Sequence, residues 1–214
     1  MRITLILAIC IALQACASKT EVARDAIYPY EGGKISVVDD YGDCFISIDG
    51  SINKSLEKIF HQAIIRLQGM ECVEKITLIT SHGGDLDVAL HIGKEIRFHQ
   101  LSTDIHDYCE SSCAFLYVAG VRRFAHQNSR ISTNSQLGVH QPSSGLLFHQ
   151  CIQNRDKYPI TVQKISQYLA QMLPPEARKT LSQAIFETPC RQIAYLDADQ
   201  LLRSGIATEK VDFH

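Results

Sequence analysis

The sequence predicts an α/β domain built on a mainly parallel sheet. Three observations carry that expectation. Apolar runs of strand length alternate with stretches whose apolar residues recur at helical spacing, and glycine or proline marks the changeovers. The composition, 45% hydrophobic and 21% charged over 214 residues, is that of an ordinary folded domain. Strands that alternate with helices pair in parallel through crossover connections.

Taken in order, Arg2 precedes an apolar run, 3–13, that is far shorter than the roughly 20 residues needed to span a bilayer, so 1–15 reads as a signal peptide. Leu13-Gln14-Ala15-Cys16 resembles the bacterial lipobox, which makes Cys16 the lipidated mature N-terminus. Cleavage after Ala17 is the competing reading, since Ala15-Cys16-Ala17 also fits the small-x-small rule. Ala17 rather than aspartate after the lipidated cysteine resembles an outer-membrane sorting signal, so the expected location is the periplasmic face of that membrane, with the lipid as the sole membrane attachment.

Residues 16–34 are polar, with Pro29, Gly32 and Gly33, and read as a tether, which leaves 35–214 as one domain. Ile35–Val38 and Phe45–Ile48 read as strands. Asn53 caps a helix carrying Leu56, Ile59, Phe60, Ala63, Ile64 and Leu67 on one face, ended by Gly69. Val73–Thr80 reads as a buried strand and 85–96 as a second amphipathic helix. Leu101–His106 follows as a strand, Cys109–Cys113 as a turn, and Ala114–Ala119 as a short helix closed by Gly120. Weak strands at 122–125 and 137–140 lead to helix over 160–183, interrupted at Pro174-Pro175; a strand at Tyr195-Leu196 and a helix over 197–203 finish the domain.

The net charge of −2 provides no cationic surface for a phosphate backbone, so nucleic acid is not an expected partner. Of eight cysteines, Cys10 and Cys16 belong to the leader; Cys44, Cys72, Cys109, Cys113, Cys151 and Cys190 remain, an even set that suits an oxidising compartment. Six cysteines allow about fifteen pairings, and neighbours along the chain suggest 44 with 72, 109 with 113 and 151 with 190. A zinc site on Cys109 and Cys113, with His140 or His106 as further ligands, is the rival reading.

Three segments sit at strand ends, where open α/β sheets collect ligands. Paired glycines in Ser81-His82-Gly83-Gly84 leave backbone N–H groups unobstructed, as an oxyanion hole requires, although such pairs also serve as plain turns. Ser111 or Ser112 in Cys109-Glu110-Ser111-Ser112-Cys113 stands at a strand-to-helix turn suited to a nucleophile or to an N-cap. Leu137-Gly138-Val139-His140-Gln141-Pro142 is a strand that ends in a histidine.

Together, in this order, the three segments resemble the Clp protease proteolytic subunit within the wider Clp protease/crotonase fold. That family pairs a Ser-Pro-Gly-Gly strand end with a nucleophilic serine before a small-residue helix ending Ala-Phe-Leu and a hydrophobic-His-Gln-Pro segment. Arg123-Phe124, Asn128-Ser129-Arg130 and Tyr195-Leu196-Asp197-Ala198-Asp199 extend the likeness over about 43–212. It is most similar to exported Clp-protease-like proteins with a Cys-x-Ser-x-Cys nucleophile segment. The resemblance implies a repeated β-β-α superhelix, Ser111 as nucleophile, His140 as base, and an oxyanion hole from the N–H groups of Gly84 and Ser112.

The family's aspartate falls on Ile193, beside Gln192, so the third member is missing; Glu187 and Asp197 are the nearby acids. His82 replaces the family proline and reads as a tolerated turn residue. The resemblance implies a serine hydrolase, most plausibly a peptidase acting on peptides or unfolded segments, without cofactor or metal, with a homo-oligomer suggested by the family's rings. A Clp-type ATPase partner is not expected outside the ATP-containing cytoplasm. A catalytically silent binding or assembly module is the alternative.

Overall fold

The computed structural model describes residues 25–126, 136–144, 150–151 and 158–211. The signal peptide, Cys16, the first part of the tether and Asn128-Ser129-Arg130 lie outside the described residues. Strands β1 (Ala26–Tyr30), β2 (Gly33–Asp40) and β3 (Asp43–Gly50) form an antiparallel meander. Between β2 and β3 the two turn residues, Tyr41 and Gly42, have φ of 51° and 95°, the left-handed pair that a tight hairpin needs to match strand twist.

β1 lies inside the stretch read as tether. Tyr28 and Tyr30 pack against the core from this strand, while Ile27 stays exposed. Pro29 is tolerated because β1 is the outermost strand, where a missing N–H breaks no inner ladder. The domain thus starts at or before Ala26, earlier than composition indicates.

Helix α1 (Lys54–Gln68) starts at Asn53, whose side-chain oxygen accepts from the N–H groups of Ser55 and Leu56 at 3.0 Å each, and it buries Leu56, Phe60, Ala63, Ile64 and Leu67. It crosses to β4 (Lys75–Ser81), which pairs parallel with β3. Helix α2 (Leu86–Phe98), capped by Asp85, crosses in turn to β5 (Ser102–Glu110), parallel to β4. Helix α3 (Cys113–Ala119) is buried at every position, which explains its uninterrupted apolar sequence.

After α3 come β6 (Phe124–His126), β7 (Leu137–Val139), the short pair β8 (Ser143–Ser144) and β9 (Gln150–Cys151), then α4 (Pro159–Met172) and α5 (Pro175–Glu187). Strand β10 (Ala194–Leu196), helix α6 (Ala198–Arg203) and strand β11 (Glu209–Val211) complete the described chain. The central sheet has the order β1-β2-β3-β4-β5-β7-β10, with β3, β4, β5 and β7 mutually parallel and β10 antiparallel to β7.

Besides β1 and the short pair β8 and β9, two more elements differ from the sequence expectation. β5 continues to Glu110, four residues past His106, because Cys109 pairs with both Ser81 of β4 and Leu137 of β7; an irregularity after Ile79 absorbs the extra residues. Strand β11 was not foreseen. It pairs parallel with β6, and Arg122 and Glu209 join in a two-pronged ion pair beside it, a long-range pairing that local pattern does not encode.

A disulfide joins Cys44 of β3 to Cys72, just ahead of β4, and a second joins Cys109 to Cys113. Cys190 is also disulfide-bonded; the side chain of Cys151, its expected partner, lies outside the described part. No helix among the described residues is long and apolar enough to cross a membrane.

Candidate active site

The end of β4 turns through Gly83 and Gly84, with φ of 94° and 149°. A Cβ on Gly83 would lie 2.7 Å from the Glu110 carbonyl oxygen and from Ser111 Cβ, and one on Gly84 would lie 2.1 Å from the Ile52 carbonyl oxygen. Backbone approaches this closely from two sides, so both positions require glycine. Ser81 Oγ accepts from the Gly83 N–H at 3.0 Å, while Ile52 donates its N–H to Gly83 and accepts from Asp85. Among the described residues the N–H of Gly84, which lies between these bonds, has no acceptor.

At the end of β5, Ser111 adopts φ of 56°, a left-handed conformation uncommon for a residue with a Cβ. Its N–H donates to the Gly138 carbonyl at 2.8 Å and its carbonyl accepts from Ala114, so the strained residue is held from both neighbours. The Cys109–Cys113 disulfide spans it. That bond consumes both thiols and overturns the zinc reading of this segment. Ser112 is buried with no hydrogen-bond partner for its hydroxyl, and its N–H, like that of Gly84, has no acceptor among the described residues. It is therefore not a side-chain cap of α3.

His140 follows β7. Its Nδ1 lies 2.7 Å from the Gln141 carbonyl oxygen, and a carbonyl can only accept, so Nδ1 carries a proton and Nε2 is the nitrogen that bears the lone pair whenever the ring is neutral. Gln141 is itself clamped to the end of α5: its N–H donates to the Thr188 carbonyl at 2.8 Å and its side-chain Nε2 to the Phe186 carbonyl at 2.6 Å. The histidine is thus oriented by a pinned backbone group rather than by a carboxylate.

Gly84, Ser111, Ser112 and His140 line one cavity of about 300 Å³, with Phe115 and Val139 among its apolar walls. No hydrogen bond joins Ser111 to His140. Of the two acids considered from sequence, Asp197 caps α6 by accepting from Gln200 at 2.8 Å, and Glu187 accepts from the Gln183 side chain at 3.1 Å; neither lines this cavity.

Sequence reasoning overlooked a row of side chains across the sheet. Glu110 pairs with Gly138, and Gly138 pairs with Tyr195. The Tyr195 hydroxyl donates to Glu110 Oε1, and His82 Nδ1 lies 2.6 Å from Glu110 Oε2. His82 stacks on Tyr108 with ring centroids 4.1 Å apart. Burial pushes the Glu110 carboxyl up, but the bonds from Tyr195 and His82 and the nearby charges of His82 and His140 outweigh it, so the group lies below the usual carboxylate range. The same bond raises the Tyr195 phenol. An acid beside the serine was visible in the sequence; the strand registers that give it partners were not.

No protein-family model matches the chain, and no curated protein matches it in sequence. Solved structures do. ClpP1 from Listeria monocytogenes superposes with a TM-score of 0.60 at 17% identity, covering 79% of this chain and 92% of that one. A mutant of the 1510-N membrane-bound stomatin-specific protease gives 0.58 at 13% identity, covering 77% of each chain. An enoyl-CoA hydratase from Mycobacterium marinum gives 0.54 at 10% identity, covering 83% of this chain and 76% of that one. The chain has the Clp protease/crotonase fold, as the ordered motifs led one to expect.

Proposed function

We propose that this protein is an exported serine hydrolase, a peptidase acting on peptides or unfolded segments, with Ser111 as nucleophile and His140 as general base. The observation that carries this reading is the convergence on one cavity of a strained serine, a histidine whose Nδ1 is engaged by the Gln141 carbonyl, and the two N–H groups of Gly84 and Ser112 without acceptors among the described residues. Proteases among the structures of the same fold add support.

In the acylation step Ser111 Oγ forms a bond to the scissile carbonyl carbon while its proton passes to His140 Nε2. The carbonyl oxygen becomes an oxyanion facing the N–H groups of Gly84 and Ser112. The carbon–nitrogen bond then breaks and His140 returns the proton to the departing amine. Water then attacks the acyl carbon with its oxygen as His140 takes its proton, the bond from that carbon to Ser111 Oγ breaks, and His140 returns the proton to Oγ, which releases the acid and restores the serine.

Labelling with a fluorophosphonate probe tests the reading. Wild type should react, Ser111→Ala and His140→Ala should both lose labelling, and Ser112→Ala should largely keep it because the backbone N–H survives the change. Absence of labelling in wild type would favour the silent-module reading, which is supported by the fact that, among the described residues, His140 Nδ1 is met by the Gln141 carbonyl and not by a carboxylate. The disulfides suit an oxidising compartment. Anchoring through Cys16 is part of the proposal: Cys16→Ser should move the protein from the membrane fraction to the soluble periplasmic fraction.

A further inference from the structure

Cys109 and Cys113 stand two residues to either side of the proposed nucleophile and are joined to each other, a bridge that the acylation step makes no use of. Both cysteines are fully buried and neither lines the cavity that holds Ser111 and His140. The bridge meets no substrate, so any effect on the chemistry passes through the three residues it encloses.

Two of those three carry the site. Ser111 supplies the hydroxyl, and Ser112 supplies one of the two N–H groups that have no acceptor among the described residues. The four peptide steps from Cys109 to Cys113 could extend over about 13 Å, yet the two Cα atoms stand 5.3 Å apart. The chain therefore folds back within Glu110, Ser111 and Ser112, and it does so with Ser111 at φ of 56°. For a residue with a Cβ that conformation is disfavoured, and an unrestrained segment relaxes toward right-handed or extended backbone. Such relaxation would move Ser111 Oγ and turn the Ser112 N–H together, because that N–H belongs to the peptide unit following Ser111 Cα. The ends of the turn are anchored independently: Cys109 pairs with Ser81 and Leu137, and Cys113 begins α3, every residue of which is buried.

Building on the hydrolase reading, we propose that Cys109 and Cys113 are positioning residues. Their disulfide clamps the turn in the one backbone conformation that presents Ser111 Oγ and the Ser112 N–H to the same carbonyl. Global stability is the lesser part of its role: by loop entropy, a bridge over 4 residues restricts the unfolded chain less than the Cys44–Cys72 bridge over 28. Placement is the greater part, since an error of about 1 Å at the reacting groups costs about a hundredfold in rate.

The test compares fluorophosphonate inactivation and chemical denaturation in wild type, Cys109→Ala/Cys113→Ala and Cys44→Ala/Cys72→Ala. The cysteines are replaced in pairs so that a broken bridge leaves no lone thiol. Varying the probe concentration to saturation separates the limiting inactivation rate from the half-saturating concentration. The 109/113 variant is expected to lose about a hundredfold in limiting rate with the half-saturating concentration nearly unchanged, and to lose less stability than the 44/72 variant. The 44/72 variant, whose bridge lies at the opposite end of β4 from the cavity, should keep the wild-type limiting rate. A bridge that served stability alone would not separate rate from stability in this way. Cys109→Val/Cys113→Ala, which refills part of the buried space, serves if the alanine pair does not fold. A folded 109/113 variant with the wild-type limiting rate overturns the proposal, as does an equal loss of rate in the two bridge variants. Failure of both 109/113 variants to fold makes the bridge a folding requirement and overturns it also. Absence of Ser111-dependent labelling in wild type overturns the hydrolase reading and this one with it.

Discussion

Tyr195 of β10 donates its hydroxyl to the carboxylate of Glu110 on β5 across an intervening strand that places no side chain between them. The bond depends on Gly138, whose missing Cβ leaves the space that Glu110 Cγ, Tyr195 Cε1 and Ile193 Cγ2 occupy. The row ties the loop bearing Ser111 to the last strand of the sheet.

Gly138→Ala is expected to break that row while leaving the sheet intact, because φ at Gly138 is not positive and the obstruction lies in side chains. Overpacking of this kind costs about 1–3 kcal/mol. Chemical denaturation should show the loss. Unchanged stability would show that the side chains re-pack without consequence.

Ser111 carries a left-handed conformation that costs an L-residue about 1–2 kcal/mol. Ser111→Gly should therefore be more stable than Ser111→Ala by about 1 kcal/mol after the entropy of unfolded glycine is subtracted. Both variants lose labelling. Thermal unfolding of the pair decides whether the strain is real, and equal melting temperatures would deny it.

Glu110 has a carboxyl held below its usual range, so its contribution to stability is present above the unfolded-state value and is lost as pH falls through the folded-state value. The difference in melting temperature between wild type and Glu110→Gln should be constant near neutral pH and shrink progressively below about pH 5. A difference that grew on acidification would reverse the sign and refute the assignment.

Cys44 and Cys72 close a loop of 28 residues between β3 and the start of β4. Replacing both with serine should cost about 3–4 kcal/mol by loop entropy. Non-reducing peptide mapping should recover Cys44 linked to Cys72 and Cys109 linked to Cys113. Free thiols at 109 and 113 would return that segment to the metal-site reading.

The amino-acid sequence by itself determined the alternation of strands and helices, the cap at Asn53, the helix start near Asp85, the glycine ends at Gly69 and Gly120, and the three strand-end segments that bear the site. These are local: periodicity, capping chemistry and turn glycines act over a few residues, and they can be read without knowing what lies across the sheet. Tertiary structure alone decided what depends on residues far apart in the chain. β1 belongs to the sheet because Tyr28 and Tyr30 find a core to cover. β11 exists because β6 is there to pair with it. His82, read as a turn residue, and Glu110, passed over beside the nucleophile, meet only because Ser81 and Cys109 stand opposite each other on paired strands; Tyr195 joins them only because position 138 is glycine. Strand register sets which side chains share a row, and a shift of one residue would turn each of them to the other face, so the row of His82, Glu110 and Tyr195 is a property of the assembled sheet and not of any segment within it.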